Sequence, residues 1–252
     1  SEIVRGLNSV LTPAIPVGGG LAGDSTDFKS TFIISNGKIL HNHAAAVGFY
    51  GRELNISSGS KGGWDIFGPE RTITRSESNV LYEIDGKPAL KLYKNYLGDK
   101  AKDLPSSGLL FPLAIHPPDD PSKKLVRTIL NIDEKTDALI FAGDIPTGWA
   151  AQLMRANFDC VIDAAGEVYE LLAKGKDKKR PELVVAVSCV GRRLVLGERC
   201  EEEVEALKVS APPQSCVTGF YSYGEISPSS AGKPCELHNQ TMTLFVLDEE
   251  AA

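Results

Sequence analysis

Apolar and polar positions along the chain fall into a few stretches of clear period. From Asn157 to Leu172, the residues Phe158, Val161, Ile162, Ala165, Val168 and Leu172 recur at helical spacing. Asn157 is placed to cap that helix, and Gly175 follows its end. Ile3, Val4, Leu7, Val10 and Leu11 mark a shorter helical face that Pro13 terminates. Pro88 opens another helix through Leu97, with Leu90, Tyr93 and Leu97 on one face and Gly98 beyond its end. A last helix is predicted from Glu198 to Lys208. Its early Glu201, Glu202 and Glu203 suit the helix dipole and read as a solvated face.

Strand patterns fill the rest. Thr31 to Tyr50 reads as a hairpin turning at Asn36-Gly37, and Thr72 to Ala89 as a second turning at Asp85-Gly86. FPLAI, KLVRTILNI and DALIFAGDI read as a meander, which Asp144 and Gly148 turn into a strand over Trp149 to Ala156. Arg127 interrupts an apolar strand there, either as a buried, paired charge or as an edge residue. LVVAV, within Glu182 to Ser188, is continuously apolar, as in a strand buried on both faces. The fold expected is α+β, mostly antiparallel, with the helix from Asn157 packed across a sheet. Two interlocking halves are expected, residues 1–85 and 86–252, with no flexible linker between them.

The C-terminal stretch Thr218 to Val246 reads as two strands joined by a Pro/Ser/Gly-rich loop. Alternation puts Tyr221, Tyr223 and Glu225 on one face of the first, and Asn239, Thr241 and Thr243 on one face of the second. If Met242, Leu244 and Val246 of the second strand face the core, those polar residues form either a solvated surface or a binding patch.

Composition narrows the function. At 252 residues, with 42% hydrophobic and 24% charged residues, the chain can bury a substantial core. A net charge of -6 gives no basic face for nucleic acid, and the one dense basic run, Lys174 to Arg180, is interrupted by Asp177. Five widely spaced cysteines and the lack of an apolar run near 18 residues fit a reduced, cytoplasmic setting away from membranes. Gly18, Gly20 and Gly23 satisfy GxGxxG, but no strand precedes them and no βαβ unit follows, so they read as a turn allowing close backbone approach. His41 and His43 share a strand face without a third metal ligand nearby, and Trp64 sits in a glycine-rich loop as an anchor or a ligand contact. Cys189 lies at the end of a buried strand with no His or acid beside it, which argues against a nucleophile. No local catalytic motif is present, so a non-enzymatic role is expected. What recurs is the inventory of a small polar ligand site. Arg192 and Arg193 can receive a carboxylate and Glu225 an ammonium group, Tyr221 and Tyr223 can form walls, and Asn239 and Thr241 add polar contacts. The expected pocket has Arg192 or Arg193 and Glu225 as its opposite poles.

The ordered motifs GGGLAGD, FPLAI, LVR, GDIPTG, VSCVGRR, GFYSYGEISP and LHNQTMT resemble the FIST family, over essentially the whole chain. The resemblance implies an intracellular sensory domain that binds small molecules such as amino acids and signals to kinases, cyclases or receptors. In that family the N-terminal half usually carries further strand and helix before GGGLAGD, so a first segment is expected to be missing. Some FIST proteins resemble haem-based nitric oxide sensors, which would make His238, and after it His116, the candidate axial ligand. Others are F-box adaptors, which leaves an interaction scaffold as a third alternative, although no F-box is present here.

Overall fold

The computed structural model describes residues 1–25, 27, 29–174 and 182–249. In chain order the elements begin with α1 (Glu2–Val10), β1 (Gly19–Gly20), β2 (Ile33–Ser35), β3 (Lys38–Leu40), β4 (Leu54–Lys61), β5 (Asp65–Ile66), β6 (Arg71–Glu77), β7 (Val80–Ile84) and β8 (Lys87–Pro88). The middle holds α2 (Ala89–Leu97), β9 (Leu113–His116), β10 (Leu125–Arg127), β11 (Ile129–Asp133), β12 (Ala138–Phe141), β13 (Ala150–Arg155) and α3 (Phe158–Leu172). The last part runs β14 (Leu183–Cys189), α4 (Val190–Leu196), α5 (Cys200–Ser210), β15 (Cys216–Ser222), β16 (Glu225–Pro228), β17 (Cys235–His238) and β18 (Met242–Glu249).

The strands are mostly antiparallel, and the α+β class holds. One sheet runs β10-β9-β13-β6-β7-β12-β11, with β5 on β13 and β8 on β7, and a second runs β15-β14-β18-β4. A third, β1-β16-β17, lies beside them, and β2-β3 is a separate hairpin. Strands from both ends of the sequence meet in each of the three larger sheets: β6 with β13, β4 with β18, β1 with β16. Neither half could complete its hydrogen-bond ladders without the other. The parallel pair β14–β15 is built through α4 and α5, the crossover that a parallel connection requires.

Each layer follows from its pattern. The α2 face of Ala89, Leu90, Tyr93 and Leu97 buries against Ile73, Leu81, Leu139 and Phe141 of the first sheet. Helix α3 is capped by the Asn157 side chain, which accepts from Cys160 N at 3.4 Å, and packs across β4 and β18 and against α5. Val168, Val184, Leu207 and Leu244 sit in that core. Helix α1 lays Val4 on Ile226, Cys235 and Leu237 of the three-stranded sheet. The close-approach reading of GGGLAGD also holds: a Cβ on Gly20 would come within 2.6 Å of Ser222, and one on Gly23 within 2.8 Å of Tyr223.

Several expectations change. Asn36 and Gly37 do form the turn, both at positive φ, but its strands stop at Ser35 and Leu40, and residues 41–50 are exposed and outside any strand. Between Thr72 and Ala89 the principal hairpin turns at Ser78–Asn79. Asp85-Gly86 makes a second, smaller turn into β8. The meander is two separate hairpins, because β10 and β11 end up at opposite edges of one sheet. The expected C-terminal hairpin is four strands in two sheets: the chain leaves β15 at Tyr223-Gly224, so Tyr221 and Glu225 share no face. Gly175 and most of the Lys174 to Arg180 run lie outside the described residues.

Candidate functional site

Four of the residues singled out in the sequence, Arg192, Tyr221, Glu225 and Thr241, fall into two buried polar centres on opposite faces of the β14–β15 pair. Tyr221 and Ser222 are consecutive in β15 and so point to opposite faces. Tyr221 Oη donates to Glu203 at 3.0 Å on the helical side, and Ser222 Oγ donates to Glu225 at 2.7 Å on the other.

On the helical side Arg192 is fully buried, and so is Glu203, which had read as part of a solvated face. Arg192 Nε donates to Glu203 Oε2 at 2.9 Å, Nη1 to the Gly62 carbonyl at 2.6 Å and Nη2 to the Val161 carbonyl at 2.6 Å. Ser188 Oγ adds a donor to Glu203 at 3.1 Å. Every nitrogen of the guanidinium is satisfied within the fold. Arg193, the next residue, is exposed and stacks over the Tyr221 ring at 5.2 Å. Trp64 is a buried anchor whose indole N–H donates to the Gln240 carbonyl at 2.8 Å.

On the other side Glu225 is fully buried, and its hydrogen bonds come from Ser222 Oγ and from Thr241 Oγ1 at 2.9 Å and Thr241 N at 3.4 Å. Burial outweighs these donors and pushes its carboxyl up to about 8. The network continues from Thr241 to Thr243, and from Thr243 through Ser60 to Ser227, at 3.2, 2.7 and 2.8 Å. Cys189 is buried on this face, and burial pushes its thiol well above the usual range. Tyr223 points away from both centres: its hydroxyl donates to Asp24. Asn239 is buried, donating to the His238 carbonyl at 3.0 Å, while its Oδ1 has no partner among the described residues. The expected poles Arg192 and Glu225 are therefore separated by a sheet, and the acid that meets Arg192 is Glu203.

A larger cleft lies apart from both centres. It is a cleft of about 760 Å³ between α1, β10, the turn from Asp144 to Trp149, and the β16–β17 hairpin. Arg127 stands in its wall. The residue is 5% exposed, and burial pulls its guanidinium down to about 10, so it remains a cation at neutral pH. Nε donates to the Asp144 carbonyl at 2.9 Å, and Nη1 to the carbonyls of Val126 at 3.1 Å and Leu237 at 3.0 Å. No carboxylate pairs with it among the described residues, and Nη2 makes no hydrogen bond there. The nearby acids are engaged: Asp144 Oδ2 accepts from Arg5 at 2.6 Å, and Glu236 Oε1 from Lys123 at 2.5 Å. Trp149, Leu125 and Leu237 supply apolar wall, and Asn8 fastens α1 to the β17 edge by bonding both the carbonyl and the N–H of Cys235, at 2.8 and 3.2 Å. Of this set only Arg127 and Asp144 stood out in the sequence. Arg5, Asn8, Lys123 and Glu236 carry no local signal beyond their charge or polarity.

Neither candidate haem ligand lines this cleft. His238 is buried with Nε2 at 3.1 Å from the Ser227 carbonyl, and His116 Nε2 lies 3.0 Å from Glu70. Both rings are committed to internal contacts, so they do not fit an axial ligand as they stand. Among the described residues no cluster of His, Cys, Asp or Glu could hold a metal ion, and no helix is long and apolar enough to cross a membrane.

Comparison with known proteins places the chain. An uncharacterized protein of Methanocaldococcus jannaschii is 27% identical over 221 residues, which are 82% of this chain and 41% of that protein. The chain thus spans about two fifths of the length of that relative. No solved structure matches it significantly. The FIST N domain model matches residues 1–87 and the FIST C domain model residues 89–228. With the second match alone covering more than half of its length, the chain belongs to the FIST family, whose domains are sensory domains of signal transduction.

Proposed function

We propose that this chain is the ligand-binding part of a cytoplasmic signalling protein, and that it binds a small polar ligand such as an amino acid in the Arg127 cleft. It passes that signal to a partner such as a kinase or cyclase and carries out no chemistry of its own. One observation supports the reading above all: a buried guanidinium borders a ligand-sized cleft, and among the described residues no anion is bonded to it, Asp144 and Glu236 offsetting only part of its desolvation. A ligand carboxylate on Nη2 would supply that anion in charge-assisted hydrogen bonds.

The test is a thermal-shift screen of amino acids and small carboxylates on the purified protein and on Arg127→Gln. The reading requires compounds that stabilise the natural protein and lose that effect in the variant. Undiminished stabilisation of Arg127→Gln would move the site elsewhere. A Soret band in the purified protein would replace this reading with the haem sensor.

A further inference from the structure

One apolar stretch stays uncovered in the folded chain. Among the described residues β2 and β3 pair only with each other, and an isolated two-stranded hairpin is marginal in water. Ile34 and Ile39 face each other across it and are 68% and 63% exposed. Phe32, Val47, Phe49 and Tyr50 are exposed as well, so residues 32–50 form an arm rich in uncovered apolar side chains. The arm leads into β4, the end strand of the sheet β15-β14-β18-β4. The outer edge of β4 bonds to no strand among the described residues. From Leu54 to Ser60 it holds neither proline nor charge, the usual guards against edge-to-edge pairing. Helix α3 covers one face of this sheet. On the other face the loop at Gly18 crosses Phe245, but Leu54, Ile56, Leu183 and Val185 are only half-buried and Phe220 is 50% exposed.

We infer that this arm and the β4 edge join two copies of the chain about a two-fold axis. A two-fold perpendicular to β4 sets the strand antiparallel to its own copy, so the two edges pair and the two sheets become one. Each arm then lies over the open face of the other copy's sheet, apolar on apolar. Charge agrees with this. Between residues 29 and 52 the arm carries Lys29, Lys38 and Arg52 and no acid, in a chain of net charge -6. Glu249 shares the receiving face as the ladder partner of Leu54. Area suffices too. At about 150–250 Å² per aromatic side chain, the arm leaves on the order of several hundred Å² uncovered. A two-fold buries that area twice and covers as much again on the receiving faces, more than the roughly 1,200 Å² at which stable interfaces begin. Both surfaces belong to one chain, and each supplies what the other lacks, which favours a second copy over an unrelated partner.

Neither the arm nor β4 lines the Arg127 cleft, so this inference and the ligand reading stand or fall separately. The experiment is sedimentation equilibrium on the full chain over a range of micromolar concentrations. The natural protein should show twice the mass of one chain. Ile34→Glu combined with Ile39→Glu places acids on an exposed face, where the chain still folds, and should weaken the dimer at least about tenfold. Amide hydrogen exchange gives the second readout: the amides of Leu54–Lys61 should exchange more slowly in the natural dimer than in that double variant. A monomer at every concentration would overturn the inference and give the arm another occupant. A dimer that the two substitutions leave unchanged, or β4 amides that exchange equally fast in both proteins, would overturn it as well.

Discussion

Arg192, in the helix that follows β14, and Arg127, at the end of β10, are both buried arginines, yet their surroundings differ in kind. Arg192 has Glu203 as counter-ion, with Tyr221 and Ser188 completing the acid's hydrogen bonds, and all of its own nitrogens are used. Arg127 has only carbonyl oxygens for partners and borders open space. A closed ion pair has no capacity left for a ligand, so its role is in the fold. An arginine bonded only to carbonyls keeps part of its desolvation penalty until an anion binds. The motif VSCVGRR drew attention to the closed site, and the three residues LVR to the open one.

The largest effect should come from breaking the closed pair. Glu203→Gln leaves Arg192 without its counter-ion in a fully buried site, and unfolding by denaturant should show a loss of about 3–5 kcal/mol. Ligand affinity of the folded fraction should stay unchanged. A variant as stable as the natural protein would show that the pair does not hold α4 and α5 to the sheet.

Glu225 sharpens the contrast, being a buried acid to which no cation is bonded among the described residues. Its carboxyl ionises at about 8 in the folded protein, against an ordinary 4.5. The unfolded chain therefore releases this proton first as pH rises. The stability contributed by the neutral carboxyl is complete below about 4.5 and is lost progressively up to about 8. Glu225→Gln should remove a slope of about 1.4 kcal/mol per pH unit within that window. Unfolding curves collected from pH 5 to 8 decide it, because identical slopes for both proteins would place the carboxyl's ionisation outside this range.

The third test falls on the open arginine. Arg127→Met removes a desolvated cation but also strips donors from the carbonyls of Val126, Asp144 and Leu237. These terms oppose, so the unliganded protein should change by no more than about 2 kcal/mol, well below the Glu203→Gln loss. A loss as large as that one would mean that Arg127 is a structural residue after all.

How much of this was legible in the sequence depended on how local each feature is. The helices from Pro88 and Asn157 and the Asn36-Gly37 turn were readable because spacing and turn chemistry are set by near neighbours. The break at Tyr223-Gly224 was not, since alternation continues through it and only pairing with Gly19–Gly20 and with Cys235–His238 shows two strands. Glu203 read as surface because it sits in a run of three glutamates. The one hint was Leu207, one turn on along the same face and equally buried. The cleft was the least visible feature. Arg127 bonds a carbonyl 110 residues away, and Arg5 meets an aspartate 139 residues away, so no window of sequence contains the site.

The smallest effect should come from Arg193, and it separates neighbours that look equivalent in the sequence. Both follow Gly191 in α4, but one turn position apart sends Arg192 into the core and Arg193 to the surface. There Arg193 lies over the Tyr221 ring, whose hydroxyl donates to Glu203, so it touches the closed centre only through an aromatic face. An exposed cation over the ring of this half-buried tyrosine contributes about 0.5–1 kcal/mol. Arg193→Ala should therefore cost less than about 1 kcal/mol, against several for Glu203→Gln. Tyr221→Phe, which keeps the ring and removes the bond to Glu203, tells the two contributions apart. If Arg193→Ala costs as much as Glu203→Gln, the stacked cation is part of the ion pair's support. If it also abolishes binding of an amino acid that Arg127→Gln still binds, the ligand site lies at this face of the sheet and the contrast between the two arginines is reversed.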